Sequence, residues 1–543
     1  MSTILTLLVA LPFVGFLVTW AAGRDLRQAR ALAFVFSLAQ TFLASFLLLA
    51  FLGVAVEGLM GPLGFLFGPH IPEAPPNPQG PNPDIYAPLY YVERHDWVPQ
   101  LGMSYILGVD GLSVPLLWLT SLLTTLAILF SWEEGHRPRE FFGLLLLLEF
   151  SLSGVFVALD FFLFFVFWEL VLIPMFFLIG IWGGPNRKYA SLKFLVYTHV
   201  ASVIMLLSIF ALFWSFSEQV NLAVYGIPER TFDMTAFLHG ALKHLNDPAV
   251  EYLKLGTQIP IFAAFLFGFI VKLPSFPFHT WLPDAHVEAP TAGSVLLAGV
   301  LLKMGGYGIF RVNFGMLPEA TRDLWWVLAI LGTVSMVYAA FVCLAQTDLK
   351  RLIAYSSVGH MGFVLLGASS LHVIGVEGAI FQLFNHGLIT AVLFMLAGSV
   401  KHGTGTRNIP ELQGLGKAMP QFSFVLIIAF FASLGLPGLN SFWSEFMVFL
   451  GAYSGPTLEP WRRLVIIPLI SIVVTAAYYV YTMQRILFGN LPETIPEAHD
   501  LPAHERASYV PLLALIIAVG VFPVWLLSMI DAYVQQSLPF LGG

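Results

Sequence analysis

About fourteen apolar runs, each close to the roughly 20 residues that cross a bilayer as a helix, set the limit on what this chain can fold into. They lie near 4–22, 31–55, 111–132, 140–159, 161–182, 190–215, 258–282, 291–313, 324–345, 351–370, 376–400, 421–450, 464–488 and 508–535. Lipid offers no water to backbone N–H and C=O groups, so runs of this length are helices that satisfy themselves. Composition agrees: 58% of the 543 residues are hydrophobic and 10% charged, where a soluble surface needs about 25% charged residues. The fold class expected is an all-α polytopic membrane protein.

Several functions are excluded. No basic tract exists for nucleic acid. The single cysteine, Cys343, allows neither an internal disulfide nor a cysteine-ligated iron–sulfur cluster. Neither a dinucleotide glycine fingerprint nor a phosphate-binding P-loop is present. The run Ile4–Ala22 has no basic leader and no clear small-residue cleavage site, so it reads as a retained span. Lysine and arginine gather in the loops after odd-numbered spans, at Arg24, Arg137, Lys188, Lys350, Arg407 and Arg485 among others. By the positive-inside rule both termini face the outer side.

Two stretches repeat weakly: KYASLKFLVYT (188–198) against EGAIFQLFNHG (377–387), and KLPSFPFHTW (272–281) against GLPGLNSFW (435–443). The second pair puts a proline inside a span in each half. Proline removes a backbone donor and clashes with the preceding turn. Two broken helices at matching places suggest two inverted five-helix repeats, with helices 7 and 12 broken near Pro274 and Pro437. The boundaries expected are 1–139 for spans 1–3 with a Pro-rich outer loop, and 140–313 for a first repeat (spans 4–8). A second repeat (spans 9–13) takes 324–488, and a C-terminal loop and span take 489–543.

Few ionisable residues fall inside the spans, and each faces the bundle or water rather than lipid. Lys272 ends an apolar run two residues before Pro274, beside the expected break. A lysine at the bilayer centre costs about 3 kcal/mol or more, so its place implies a polar cavity. Glu169, in FWELVLIP, is the carboxylate that can tune it; a structural ion pair between helices is the plainer role. Lys303 precedes Gly305 and Gly306, too central to snorkel to an interface. His360 and His386 lie on adjacent spans, with Ser356 and Ser357 beside the first; histidine trades protons near neutral pH. Glu445 follows Pro437 and is a candidate for terminal proton exchange, or a partner for Arg462 or Arg463. Glu149, Asp160, His199 and Glu377 complete the set. HTWLPDAHVEAPT (279–291) resembles a metal cluster, but the spacing of His279 and His286 does not put both rings on one helix face; the flanking prolines favour a water-contacting turn.

FWELVLIPMFFLIGIWG, KYASLKFLVYT, VKLPSFPFHTWLPDAHVEAPTAGSVLLAGVLLKMGGYG, DLKRLIAYSSVGHMGF, FQLFNHGLITAVLFMLAG and LPGLNSFWSEF closely resemble the antiporter-like membrane subunits of respiratory complex I; HDWVPQLGMSYILGVDGLS (95–113) looks like the approach to their third span. The likeness covers most of 95–490. Glutamate at the broken twelfth span, Glu445, resembles the M-type chain (mitochondrial chain 4); the L- and N-type chains carry lysine there. The chain also ends after the fourteenth span, without the long lateral helix of the L-type. The Pro-rich 57–94 stretch is longer than the family pattern leads one to expect.

That resemblance implies specific roles. Glu169 and Lys272 form the charge pair of an input half-channel, Lys303, His360 and His386 a central hydrophilic axis, and Glu445 the output residue. No cofactor or metal sits on this chain, because NADH, FMN, the Fe–S clusters and quinone belong to other subunits. The partners implied are the L-type and N-type chains and the lipid bilayer, in a bacterial-type inner membrane or an equivalent energy-transducing membrane. Two other readings are a cation/proton antiporter subunit of the Mrp type, and a non-conducting scaffold in a hydrogenase-like complex. Carboxylate cages suit Na⁺ better than a lysine–histidine axis does. A scaffold has no need of six buried ionisable residues.

Overall fold

The structure, a computed structural model, describes residues 3–53, 89–215, 230–246, 252–455, 465–495 and 497–541. Most of the Pro-rich stretch, together with Arg462 and Arg463, lies outside the described residues. Among those described, thirteen helices are long and apolar enough to cross a membrane. Pro420–Ser433 and Asn440–Ser454 are two shorter helices within the run expected at 421–450.

Two helices occupy the centre and are buried along their whole apolar windows: Thr291–Phe314 and Val373–Thr404. They touch because glycines face each other. A Cβ on Gly387 would lie 2.8 Å from the Gly299 carbonyl oxygen, and one on Gly306 would lie 2.5 Å from Leu383 of the partner helix; on another face, a Cβ on Gly305 would lie 2.5 Å from the Phe269 carbonyl oxygen of Leu255–Lys272. Small residues permit such approach where lipid gives helices no hydrophobic reason to associate. Thr291–Phe314 is not uniformly α-helical. Leu297–Leu301 and Ile309–Phe314 are wound as wider π-turns on either side of Lys303, a distortion that recurs at functional sites.

The helix Leu255–Lys272 stops at Lys272; residues 273–280 are not helical, and helix resumes at Trp281–Glu288. Pro274 and Pro277 occupy that gap. Similarly, helix Pro420–Ser433 stops, residues 434–439 hold Pro437 and two glycines at positive φ, Gly435 (79°) and Gly438 (93°), and helix resumes at Asn440. A smaller irregularity at Val171 separates Phe161–Leu170 from Leu172–Trp182. Pro174 explains it: the ring leaves the Leu170 carbonyl without its helical donor.

The all-α class holds, with one addition: β1 (Tyr90–Val98) and β2 (Met103–Val109) form an antiparallel hairpin at the approach to Ser113–Phe130. Between the spans Arg187–Ser215 and Leu255–Lys272 lies a further short helix, Met234–Asn246. The last span is not a single helix over 508–535; it runs Ala503–Val521, turns at Phe522–Pro523, and continues as Val524–Ser537.

Candidate functional site

Lys272 is 1% exposed, and its Nζ has no hydrogen-bond partner. Its Nζ lies over the face of Trp168, 5.0 Å from the ring centroid. Such a cation–π contact is stronger when water is excluded. Glu169 is next to Trp168 in sequence and within electrostatic reach of Lys272, yet the two make no ion pair. Instead Glu169 Oε2 meets His199 Nδ1 at 2.7 Å, while Oε1 is buried and unpartnered. So the expected charge pair is present as neighbours but open, and the carboxylate's direct partner is a histidine that the sequence reading left unused. His199 stands mid-span with 57% of its side chain exposed, a surface that lipid alone would not favour.

Lys303 is wholly buried. Its Nζ donates to the Ala298 carbonyl, within the neighbouring π-turn, and lies 2.6 Å from His386 Nδ1. His386 Nε2 is buried without a partner, and its ring centroid is 5.4 Å from that of His360. His360 is held on both nitrogens: Nε2 lies 3.0 Å from Ser433 Oγ, and Nδ1 3.2 Å from Gln382 Nε2. The same Nδ1 is 3.6 Å from Glu445 Oε1. Glu445 is 7% exposed and, with His360, Ser356 and Tyr478, lines a pocket of about 20 Å³, room for one water.

The structure therefore brings Lys303, His386, His360 and Glu445 into one series of near contacts, with Lys272 and Glu169 as a separate pair beside the broken helix. The hydroxyls differ from expectation. Ser356 and Ser357 both bond the Ile353 carbonyl of their own helix. His360 takes Ser433 instead, which is 2.6 Å from the Tyr479 hydroxyl. Sequence reading missed Gln382, Ser433 and Tyr479. The available signal was polar side chains within apolar spans, at separations no sequence pattern connects.

The segment 279–291 is also different. Most of it is helix rather than turn, Trp281–Glu288, and His279 and His286 are 2% and 0% exposed, with all four ring nitrogens unpartnered; only its end, 287–291, lines an open cleft. Asp284 pairs with Lys193 at 2.7 Å, and Glu288 accepts from the Asn186 N–H. His286 stacks on Phe394 at 4.2 Å and is within electrostatic reach of both Lys303 and Lys350. Lys350 is 3% exposed and donates to the Ala289 carbonyl at 2.5 Å. Lys350 and Ala289 also line a cleft of about 490 Å³ bounded by Glu133, Glu288, Lys401 and Glu505, on the side of the odd-to-even loops.

Residues 158–475 match the family model described as "NADH:quinone oxidoreductase/Mrp antiporter, TM". The chain belongs to that family. It is 44% identical over 446 residues to F(420)H(2) dehydrogenase subunit M of Methanosarcina mazei, covering 82% of this chain and 86% of that one. NAD(P)H-quinone oxidoreductase chain 4 of Trichormus variabilis is 41% identical over 476 residues, covering 85% and 84%. A chain of respiratory complex I from Thermus thermophilus superposes with a TM-score of 0.80 at 28% identity, covering 99% and 100%. This antiporter-like subunit is thus a multi-pass membrane protein whose relatives sit in multisubunit membrane complexes, and its M-type likeness is that of the chain 4 relatives.

Proposed function

We propose that this chain translocates protons across an energy-transducing membrane as the M-type subunit of a quinone-reducing complex, driven by redox chemistry in other subunits. One observation carries the reading: Lys303, His386, His360 and Glu445 follow one another inside the membrane at separations that a hydrogen bond, a ring flip or a single water closes. Lys272 and Glu169 act beside them as an electrostatic trigger. At an effective dielectric of about 20, opposite charges about 4 Å apart attract by about 4 kcal/mol. Closing or opening that pair therefore decides whether Lys272 keeps its proton. Protons arrive from the cleft through Lys350 and His286, and leave by Glu445. The groups titrate as a coupled set.

On this reading NADH or a related donor, FMN, Fe–S clusters and quinone bind elsewhere in the complex, and L- and N-type chains flank this one. Both termini face the outer side, and the two interrupted helices belong to inverted repeats 140–313 and 324–488. The family also includes antiporters, and the lysine–histidine series favours protons over Na⁺.

Glu445 supplies the test. Glu445→Gln keeps the shape but cannot ionise, while Glu445→Asp keeps the charge. In vesicles holding the assembled complex, Glu445→Gln should lose most redox-driven proton uptake and Glu445→Asp should retain part. Parent-like pumping by both would make Glu445 structural and move the exit elsewhere.

A further inference from the structure

A second buried carboxylate lies outside the series just described. Glu149, on Pro138–Val157, is 0% exposed, and no salt bridge to it is found among the described residues. Its Oε1 accepts from Ser37 Oγ at 3.0 Å; its Oε2 is buried and unpartnered. Ser37 Oγ is 2.8 Å from Thr125 Oγ1, which is 2.8 Å from Thr41 Oγ1. Each hydroxyl has one proton to give and lone pairs to receive. Thr41 Oγ1 also reaches the Ser37 carbonyl, at 3.1 Å; when its proton turns from that carbonyl to Thr125, the donors Thr41, Thr125 and Ser37 form one directional chain to Glu149. Thr41 is half-buried, so the far end of the chain reaches the rim of the helix pair Leu26–Phe51 and Ser113–Phe130.

One turn further along, Gln40 Nε2 donates to Ser153 Oγ at 2.9 Å, leaving Gln40 Oε1 buried and unpartnered. Ser153 is four residues beyond Glu149, and Gln40 three beyond Ser37, on helices that touch. Two orphaned acceptors on one interface are the setting in which a buried water is held, since it donates to both. Leu119 and Leu123, on the opposite side of Ser113–Phe130, pack against Gly387 and Gly299. They separate this hydroxyl chain from Lys303 and His386.

We infer that Glu149 is a second proton-binding site, independent of the lysine–histidine series and served by the Ser37–Thr125–Thr41 hydroxyl relay. A proton enters at Thr41 from water held where a neighbouring membrane subunit covers this rim, each hydroxyl accepts one and passes one on, and the carboxyl group binds one net proton.

The test is infrared difference spectroscopy of the assembled complex in vesicles on transfer from H2O to D2O. The expected result is a carboxylic C=O band that shifts in D2O and is missing in Glu149→Gln. Thr125→Val should keep the band but slow its exchange by about tenfold, the effect of one lost relay hydrogen bond. A spectrum unchanged by Glu149→Gln, or a Glu149 band that does not exchange, would overturn the site. Equal exchange rates in Thr125→Val and the parent would overturn the relay, and Glu149→Asp, which should shift the band rather than remove it, supplies the assignment if Glu149→Gln fails to assemble; a band unmoved by Glu149→Asp would overturn the site. None of these readouts depends on pumping, so their failure is distinct from a failure of the proposed transport role.

Discussion

Glu169 gives its carboxylate to His199, at 2.7 Å, while Lys272, the residue it was expected to hold, lies over Trp168 with its ammonium nitrogen unpartnered. The histidine and the lysine therefore compete for one carboxylate. His199→Leu removes the competitor and lets Glu169 close on Lys272. Redox-driven proton uptake should fall about fivefold to tenfold, equivalent to about 1 kcal/mol for a partly exposed pair. His199→Gln, which still offers a hydrogen bond, should recover part of it. Vesicle pumping assays of the two variants check this; a His199→Leu complex that pumps like the parent would contradict it.

Arg311 and Asp110 form a buried ion pair at 2.6 Å, and Asp110 also accepts the N–H groups of Leu112 and Ser113. The guanidinium lies over Tyr307 and Tyr533, at 5.2 and 5.4 Å from their centroids. This ties the end of β2, the central helix Thr291–Phe314 and the C-terminal helix Val524–Ser537 together. Arg311→Met strands a buried carboxylate, at a cost of about 3–5 kcal/mol. The amount of subunit surviving heating in detergent should drop sharply, and Asp110→Asn in the same chain should restore some of it. Undiminished heat resistance of Arg311→Met alone would be the contrary result.

Much of this was legible beforehand, and the parts that were not share a cause. Span positions follow from apolar length, and the interruptions at 273–280 and 434–439 from Pro274 and Pro437. Lys272, Lys303, His360, His386 and Glu445 stand out because ionisable groups inside spans are rare. The hairpin Tyr90–Val109 and the helix Met234–Asn246 were missed because their segments are polar and short, and their packing rather than their pattern sets their structure. The pairings Glu169–His199 and His360–Ser433 join residues 30 and 73 positions apart. Only the packing of neighbouring helices makes them.

The helix Met234–Asn246, outside the spans, carries a pH signature. Burial lowers the His239 imidazole from 6.5 to about 4. Its folded value lies below its unfolded one, so the stability it permits is complete above about pH 6.5 and declines as pH falls toward about 4. The full loss is about 3 kcal/mol. Amide hydrogen exchange across this helix, corrected for intrinsic rates, should show local opening growing easier between about pH 7 and about pH 5. His239→Gln should abolish that dependence. A dependence that persists in His239→Gln would assign it to another group.

The most direct measurement of the central claim is proton uptake by vesicles containing the complex with Lys272→Ala, alongside its electron-transfer rate and subunit content. The account predicts an assembled complex that no longer takes up protons through this chain, with Glu169→Ala impaired as strongly. Near-normal uptake by Lys272→Ala would contradict it.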